Sequence, residues 1–320
     1  GVEDLAPAPG EHELALAADG SLQVRTVHSL GALPVTTVHA RDGRLLATLE
    51  SHVEAPAALP RVTLRTVGAE GFRAAIVRPS NDLPGRRYPV IVWVYGGPGV
   101  RVVTHAVERF IVQQWLADQG FVVVLADGRG TPGRGRDWER ALRLRLGDVP
   151  LDDQVSALGA LGALDPSLDL GRVGVIGWSF GGYLAARAVI ERPEVFHAAV
   201  AGAPVTDWEA YDTCYTERFL GLPEGSPEAY ARASLLPRAA DLRRPLLVVH
   251  GTADDNVYFH HGLRLADALL RAGRRFEFLP LVGQTHLVHA PDLVVAWLLR
   301  ARQFFVEHLG GPAGDEGRAG

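Results

Sequence analysis

A buried strand, a tight turn around one serine and a helix follow one another between residues 172 and 191. No other feature constrains the fold of this chain so strongly. Residues 172–176 (Arg-Val-Gly-Val-Ile) read as the strand. The turn is Gly177-Trp178-Ser179-Phe180-Gly181-Gly182, and residues 183–191 read as the helix. Gly-x-Ser-x-Gly in that setting is a nucleophile elbow. The glycines are needed because side chains at the flanking positions would collide with neighbouring backbone. The turn lifts the serine hydroxyl above a sheet and aims a backbone N–H and a helix N-terminus at one spot.

The rest of the chain supplies a sheet for that elbow. From residue 61 onward, apolar runs alternate with amphipathic stretches. Strands are expected at 61–67, 72–78, 89–94, 121–126, 172–176, 198–201, 245–250 and 276–281. Helices are expected at 105–119, 151–164, 183–191, 261–272 and 291–309. The first two strands form a hairpin, and the later ones are apolar runs parted by helices. That is the mark of a mostly parallel sheet covered on both faces. The expected fold class is α/β, an α/β-hydrolase fold with an eight-stranded, mostly parallel sheet. Residues 1–55 differ: short alternating pieces are separated by Asp19-Gly20 and Asp42-Gly43, which are hairpin signals. The expected organisation is a β-rich segment over 1–55, a hydrolase domain over 56–309 and a disordered tail over 310–320.

Composition removes other classes of function. A net charge of −5 gives no basic footprint, which argues against nucleic acid as a partner. No apolar run is long enough to span a membrane. Cys214 is the sole cysteine, which excludes intrachain disulfides and a cysteine-based zinc site. Residues 1–20 lack a signal-peptide pattern, and the expected compartment is the cytoplasm or the periplasm.

A serine nucleophile needs a base, an orienting acid and oxyanion donors. The chain order in this fold is Ser, then acid, then His. Asp254 and Asp255 follow the strand at 245–250, and either can orient an imidazole. His286 follows the last strand and leads as base, with His289 as the alternative. After the strand at 89–94 the chain reads Tyr95-Gly96-Gly97-Pro98-Gly99. Tyr95 can donate its phenolic O–H to an oxyanion, and the Phe180 backbone N–H is the second donor.

These residues resemble the prolyl oligopeptidase family, and within it the dipeptidyl peptidase IV branch. The elbow looks like that branch's Gly-Trp-Ser-Tyr-Gly-Gly. Asp127-Gly128-Arg129-Gly130-Thr131 resembles its Asp-Gly-Arg-Gly motif. Residues 203–218 are similar to its segment carrying an aromatic wall, and residues 250–257 to its acid loop. The resemblance covers about residues 61–308. It implies Ser179 as nucleophile, Asp254 as orienter, His286 as base, and Tyr95 with the Phe180 amide as the oxyanion hole. It also implies a flat apolar pocket lined by Val205, Trp208, Tyr211, Tyr215 and Val257, with Asn256 at the substrate carbonyl. The implied substrate is a peptide cleaved after proline or alanine, with no cofactor and no metal, and a homodimer is expected. Leu287 follows His286, where the family usually has glycine. No glutamate pair in the first 60 residues replaces the one with which that branch's propeller holds a substrate N-terminus. The chain is therefore expected to be the catalytic part of a longer enzyme, with residues 1–55 as a propeller remnant.

Overall fold

The computed structural model describes residues 10–311. The first nine residues of the expected β-rich segment, and the expected tail from 312 onward, lie outside the described residues.

Two sheets form. The smaller is antiparallel, in the order β1 (Glu11–Leu16), β2 (Leu22–His28), β3 (Val35–Ala40), β4 (Leu45–Thr48). Asp19-Gly20 and Asp42-Gly43 turn the first and third connections, with positive φ at both glycines. The larger sheet has eight strands: β5 (Val62–Val67), β6 (Phe72–Val77), β7 (Tyr88–Val94), β8 (Val122–Asp127), β9 (Leu168–Trp178), β10 (Ala198–Gly202), β11 (Leu246–Gly251) and β12 (Glu277–Leu281). Their spatial order is β12-β11-β10-β9-β7-β8-β6-β5. The β5–β6 and β6–β8 pairs are antiparallel and all others parallel.

Alternate residues of each central strand enter opposite cores, as a period of two requires. On β8, Val122, Val124 and Ala126 face one core, and Val123 and Leu125 face the other. The first core is closed by α3 (Asp148–Leu164), α4 (Phe180–Glu191) and α7 (His260–Arg271). The second is closed by α8 (Pro291–Leu309), which follows β12. Burial on both faces is why these strands are near-continuous apolar runs.

Helix 105–119 of the sequence reading is shorter and broken. A 3₁₀ turn covers Val107–Phe110, and an α-helix, α1, runs only over Ile111–Ala117. At its start the chain is docked on the small sheet: the Val107 N–H donates to the Ser29 carbonyl at 2.9 Å, and the His105 N–H to Glu11 at 3.1 Å. Three short helices were not expected: α2 (Arg136–Arg140), α5 (Thr213–Leu220) and α6 (Pro227–Ala233). The last two lie between β10 and β11, beside the aromatic segment.

Candidate active site

Ser179 is the cap between β9 and α4, with φ 61° and ψ −119°. A non-glycine residue in that region costs about 1–3 kcal/mol and persists only where its surroundings impose it. Here the Ser179 N–H donates to the Gly202 carbonyl at 2.8 Å, and the Tyr183 N–H donates to the Ser179 carbonyl at 2.9 Å. A Cβ on Gly177 would meet the Gly181 backbone and the Val94 carbonyl, and one on Gly182 would meet the Gly202 carbonyl. The elbow is thus wedged against the ends of β7 and β10. Phe180 opens α4, so its N–H lacks an intrahelical acceptor.

Asp254 lies in the loop after β11 and is buried. Its Oδ1 accepts from the backbone N–H groups of Asn256 (3.0 Å) and Val257 (2.9 Å). His286 Nδ1 lies 2.9 Å from Oδ2 and 3.1 Å from Oδ1, so Nδ1 carries a proton toward the carboxylate and Nε2 is left bare. Burial pushes the Asp254 carboxyl up, but hydrogen bonds from His250 and His286 outweigh it and hold the group well below the usual carboxylate range. His250, fully buried, points Nε2 at the Val257 carbonyl (2.8 Å) and lies 3.4 Å from Asp254.

The two loops are stitched together. The Ala253 N–H donates to the Gln284 carbonyl at 3.0 Å, and the Gly283 N–H to the Thr252 hydroxyl at 2.8 Å. Asp255 accepts the His286 backbone N–H at 3.3 Å. Trp178, inside the elbow, donates its indole N–H to the His286 carbonyl at 2.9 Å. The residue before Ser179 therefore fixes the loop that carries the imidazole. His289 is exposed, and it is His286 that meets Asp254. The Ser179 hydroxyl makes no hydrogen bond among the described residues. Such contacts often tighten only when substrate is bound.

Aromatic rings stand on the other side. Trp208 stacks on Tyr215 at 6.1 Å and 13°, and Tyr211 stands edge-on to both, at 88° and 83°. Tyr95 packs 5.9 Å from Phe180. Burial, with Tyr211 nearby, pushes the Tyr95 phenol up to about 12. Tyr215 is raised by burial and by the phenols of Tyr95 and Tyr211. Burial, with Asp212 nearby, raises Tyr211 as well, so all three hydroxyls stay protonated near neutral pH. Tyr211 donates its hydroxyl to the Asn256 side-chain carbonyl at 2.8 Å, joining the aromatic side to the acid loop.

A sequence profile described as the prolyl oligopeptidase family matches residues 108–312. The chain belongs to the prolyl oligopeptidase family. Over 240 residues it is 36% identical to dipeptidyl peptidase 8 of mouse and of human, covering 73% of this chain and 27% of each relative. A probable dipeptidyl-aminopeptidase B of Aspergillus clavatus is 37% identical over 266 residues, covering 79% and 29%. Among solved structures, a putative dipeptidyl aminopeptidase IV from Bacteroides ovatus superposes with a TM-score of 0.87 at 30% identity. Porphyromonas gingivalis dipeptidyl peptidase 4 does so at 0.86 and 31%. Each covers 94% of this chain, which spans 44% of each of them. Within the family the chain falls in the dipeptidyl peptidase IV branch. It spans about a quarter of the length of the curated relatives.

The family motifs divide into those at the site and those behind it. Val205, Trp208 and Val257, expected to line a pocket, are fully buried in the core, whereas Tyr211 and Tyr215 are half-buried and Asn256 is exposed. Trp208 thus backs Tyr215. The Asp-Gly-Arg-Gly stretch is a brace. Asp127 accepts the N–H groups of Val102 (2.9 Å) and Val103 (3.1 Å), in the loop that follows Tyr95, and burial raises its carboxyl to about 6. Arg129 makes a forked ion pair with buried Asp153. Sequence reasoning did not single out Trp178 or His250 as supports, although both stand inside motifs it used; of the two aspartates it named in the acid loop, Asp254 meets the imidazole and Asp255 holds the His286 backbone. Glu277, Glu307 and His308 are close enough to hold a metal, but Arg300 pairs with both carboxylates, and the cluster reads as a surface ion-pair network.

Proposed function

We propose that this chain is the catalytic part of a serine peptidase that cleaves after proline or alanine through an acyl-enzyme. In the whole protein this would release dipeptides. The observation that carries the reading is the Asp254–His286 pair at 2.9 Å, on a loop tied to the elbow by Trp178. His286 Nε2 takes the Ser179 proton as Oγ attacks the scissile carbonyl. The tetrahedral oxyanion is met by the Tyr95 hydroxyl and the Phe180 N–H, and His286 then protonates the leaving amine. Water, activated by the same imidazole, releases the acyl group. Asp254 holds the tautomer and stabilises the imidazolium. The P1 ring lies against Tyr211 and Tyr215, with Val205, Trp208 and Val257 as the apolar backing. The side-chain carbonyl of Asn256 is engaged by Tyr211, so its amide N–H groups are the ones available to a substrate carbonyl. Proline, rigid and lacking an N–H, suits such a wall.

Two further readings belong to this proposal. The four strands β1–β4 have the strand count of one propeller blade, which supports residues 1–55 as a propeller remnant beside a domain over 56–309. Exposed apolar side chains after edge strand β12 (Val282) and on helix α8 (Val295, Leu299) suit contact with a second copy of the chain. Sedimentation of a Val295→Glu variant tests that homodimer.

The test of function is fluorophosphonate labelling of the folded chain, with Ser179→Ala as control and the modified peptide mapped by mass spectrometry. Labelling at Ser179, with turnover of a prolyl amide, is expected. Turnover of acetyl esters without amide cleavage makes it a carboxylesterase, and a folded chain that takes no label is a silent module.

A further inference from the structure

His261 is fully buried on α7, and the mechanism above does not use it. Yet it grips both ends of the short turn that carries Trp208, the ring behind the aromatic wall. Its Nδ1 lies 3.2 Å from the Thr206 backbone nitrogen, and its Nε2 lies 3.2 Å from the Ala210 carbonyl. An amide N–H can only donate and a carbonyl can only accept. Both contacts are therefore satisfied by one species alone, the neutral imidazole with its proton on Nε2. The Thr206 hydroxyl closes the clamp from the other side, donating to the His261 carbonyl at 3.0 Å. Burial, helped by His260, pushes this imidazole down to about 4, so it holds that neutral form near neutral pH.

Between the two gripped residues lies Trp208, and Tyr211 follows at once. The segment around Trp208 is a three-residue 3₁₀ turn, Trp208–Ala210, with no sheet partner of its own. Fixing both of its ends fixes the plane of the indole on which Tyr215 stacks, and against which Tyr211 stands edge-on.

We propose that His261 is a positioning residue for proline selectivity, acting through the Thr206–Ala210 turn on the aromatic wall. The proposal rests on the reading of that wall as the site for the residue before the cleaved bond. A rigid wall rewards a flat, rigid ring more than a methyl group. A loosened wall keeps alanine and loses proline. The polar machinery hangs from other strand ends and is left untouched.

The experiment compares a prolyl 4-nitroanilide, an alanyl 4-nitroanilide and 4-nitrophenyl acetate on the whole chain. In His261→Phe, KM for the prolyl amide is expected to rise about tenfold, at the low end of what a pocket contact contributes to discrimination, with kcat and acetate turnover little changed. His261→Gln carries an acceptor and a donor on one planar group and should recover most of the selectivity. If His261→Phe does not fold, His261→Asn is read in its place, because its shorter amide keeps an acceptor toward Thr206 while its NH2 does not reach the Ala210 carbonyl that the far ring nitrogen Nε2 meets. An unchanged proline-to-alanine ratio in the folded variant overturns the proposal. So does an equal loss on amide and ester, because that marks a merely structural residue. Tyr215→Ala separates the two levels. If it leaves the ratio unchanged, the wall is not the P1 site and the functional reading fails. If it lowers the ratio and the His261 variants do not, only the role of His261 falls.

Discussion

On one side of Ser179 the polar groups hang from the carboxyl ends of parallel strands: the elbow from β9, Asp254 from β11, His286 from β12. On the other side Trp208, Tyr211 and Tyr215 stand on irregular chain and a short helix between β10 and β11. The polar side is held by the sheet and by loop-to-loop hydrogen bonds such as Trp178 to His286. The aromatic side is held by ring contacts and by clamps from outside, such as His261. The difference separates two tasks. In the proposed peptidase, the sheet sets the reaction and the insert sets which residue is accepted. Damage to the first should remove all hydrolysis alike, and damage to the second should change the ranking of substrates.

The largest effect tests the polar side. Asp254→Asn keeps the shape but no longer imposes the Nδ1–H tautomer on His286. A kcat loss of about 10⁴-fold is expected, by the logic of an orienting acid in a triad, and it should be equal for prolyl amide and acetyl ester. A loss confined to the amide would break the division. Next is Tyr95, which belongs to both sides: it follows β7 and packs on Phe180. Removal of one oxyanion donor costs about 10²–10³ in kcat. Tyr95→Phe is therefore expected to lower kcat by that amount on both substrates, with KM little changed. A mainly KM effect would move Tyr95 to the aromatic side.

Asp255 gives a smaller effect. It accepts only the His286 backbone N–H, at 3.3 Å. One exposed hydrogen bond contributes about 0.5–1.5 kcal/mol, so Asp255→Ala should slow both reactions about threefold to tenfold. A loss as large as that of Asp254→Asn would make Asp255 the orienting acid instead.

The same division explains what was readable in the sequence. The order Ser179, Asp254, His286 and the position of each after an apolar run follow from how a parallel sheet presents its loops. Strands buried on both faces announce themselves, and all eight fell within a few residues of their expected places. Helices α5 and α6 did not, because segments of eight and seven residues are too short to show a period. Asp212 and Pro227, at the starts of those helices, were the signals available. The burial of Trp208 ran against its polar neighbours, because a 3₁₀ turn can expose Glu209 and bury the indole beside it. The grip of His261 on Thr206 joins residues 55 apart in the chain, which no local pattern shows.

The smallest effect is on stability, and it opposes the two sides in pH. The Asp254 carboxyl is held below its ordinary value of 3.8, so the native state binds its proton less readily than the unfolded chain. Its stabilisation is complete above that value and fades as acid is added. The Tyr95 phenol is raised from 10.0 to about 12, and Tyr215 is raised too. The native state keeps these protons while the unfolded chain gives them up, so the stability they confer is complete below pH 10 and fades above it. Melting temperature against pH should therefore fall at both ends, with the acid arm shared by Asp254 and by His261, whose imidazole is lowered to about 4, and the alkaline arm belonging to the phenols of the aromatic side. Tyr215→Phe separates them cleanly. The Tyr215 hydroxyl is buried with no partner in the described structure, so its removal strands no other group. It should make the alkaline arm shallower, with the Tyr95 share remaining, and should leave the acid arm in place and acetate turnover near wild type. An alkaline arm that persists unchanged in that variant would show that the phenols of the wall are not what limits stability there.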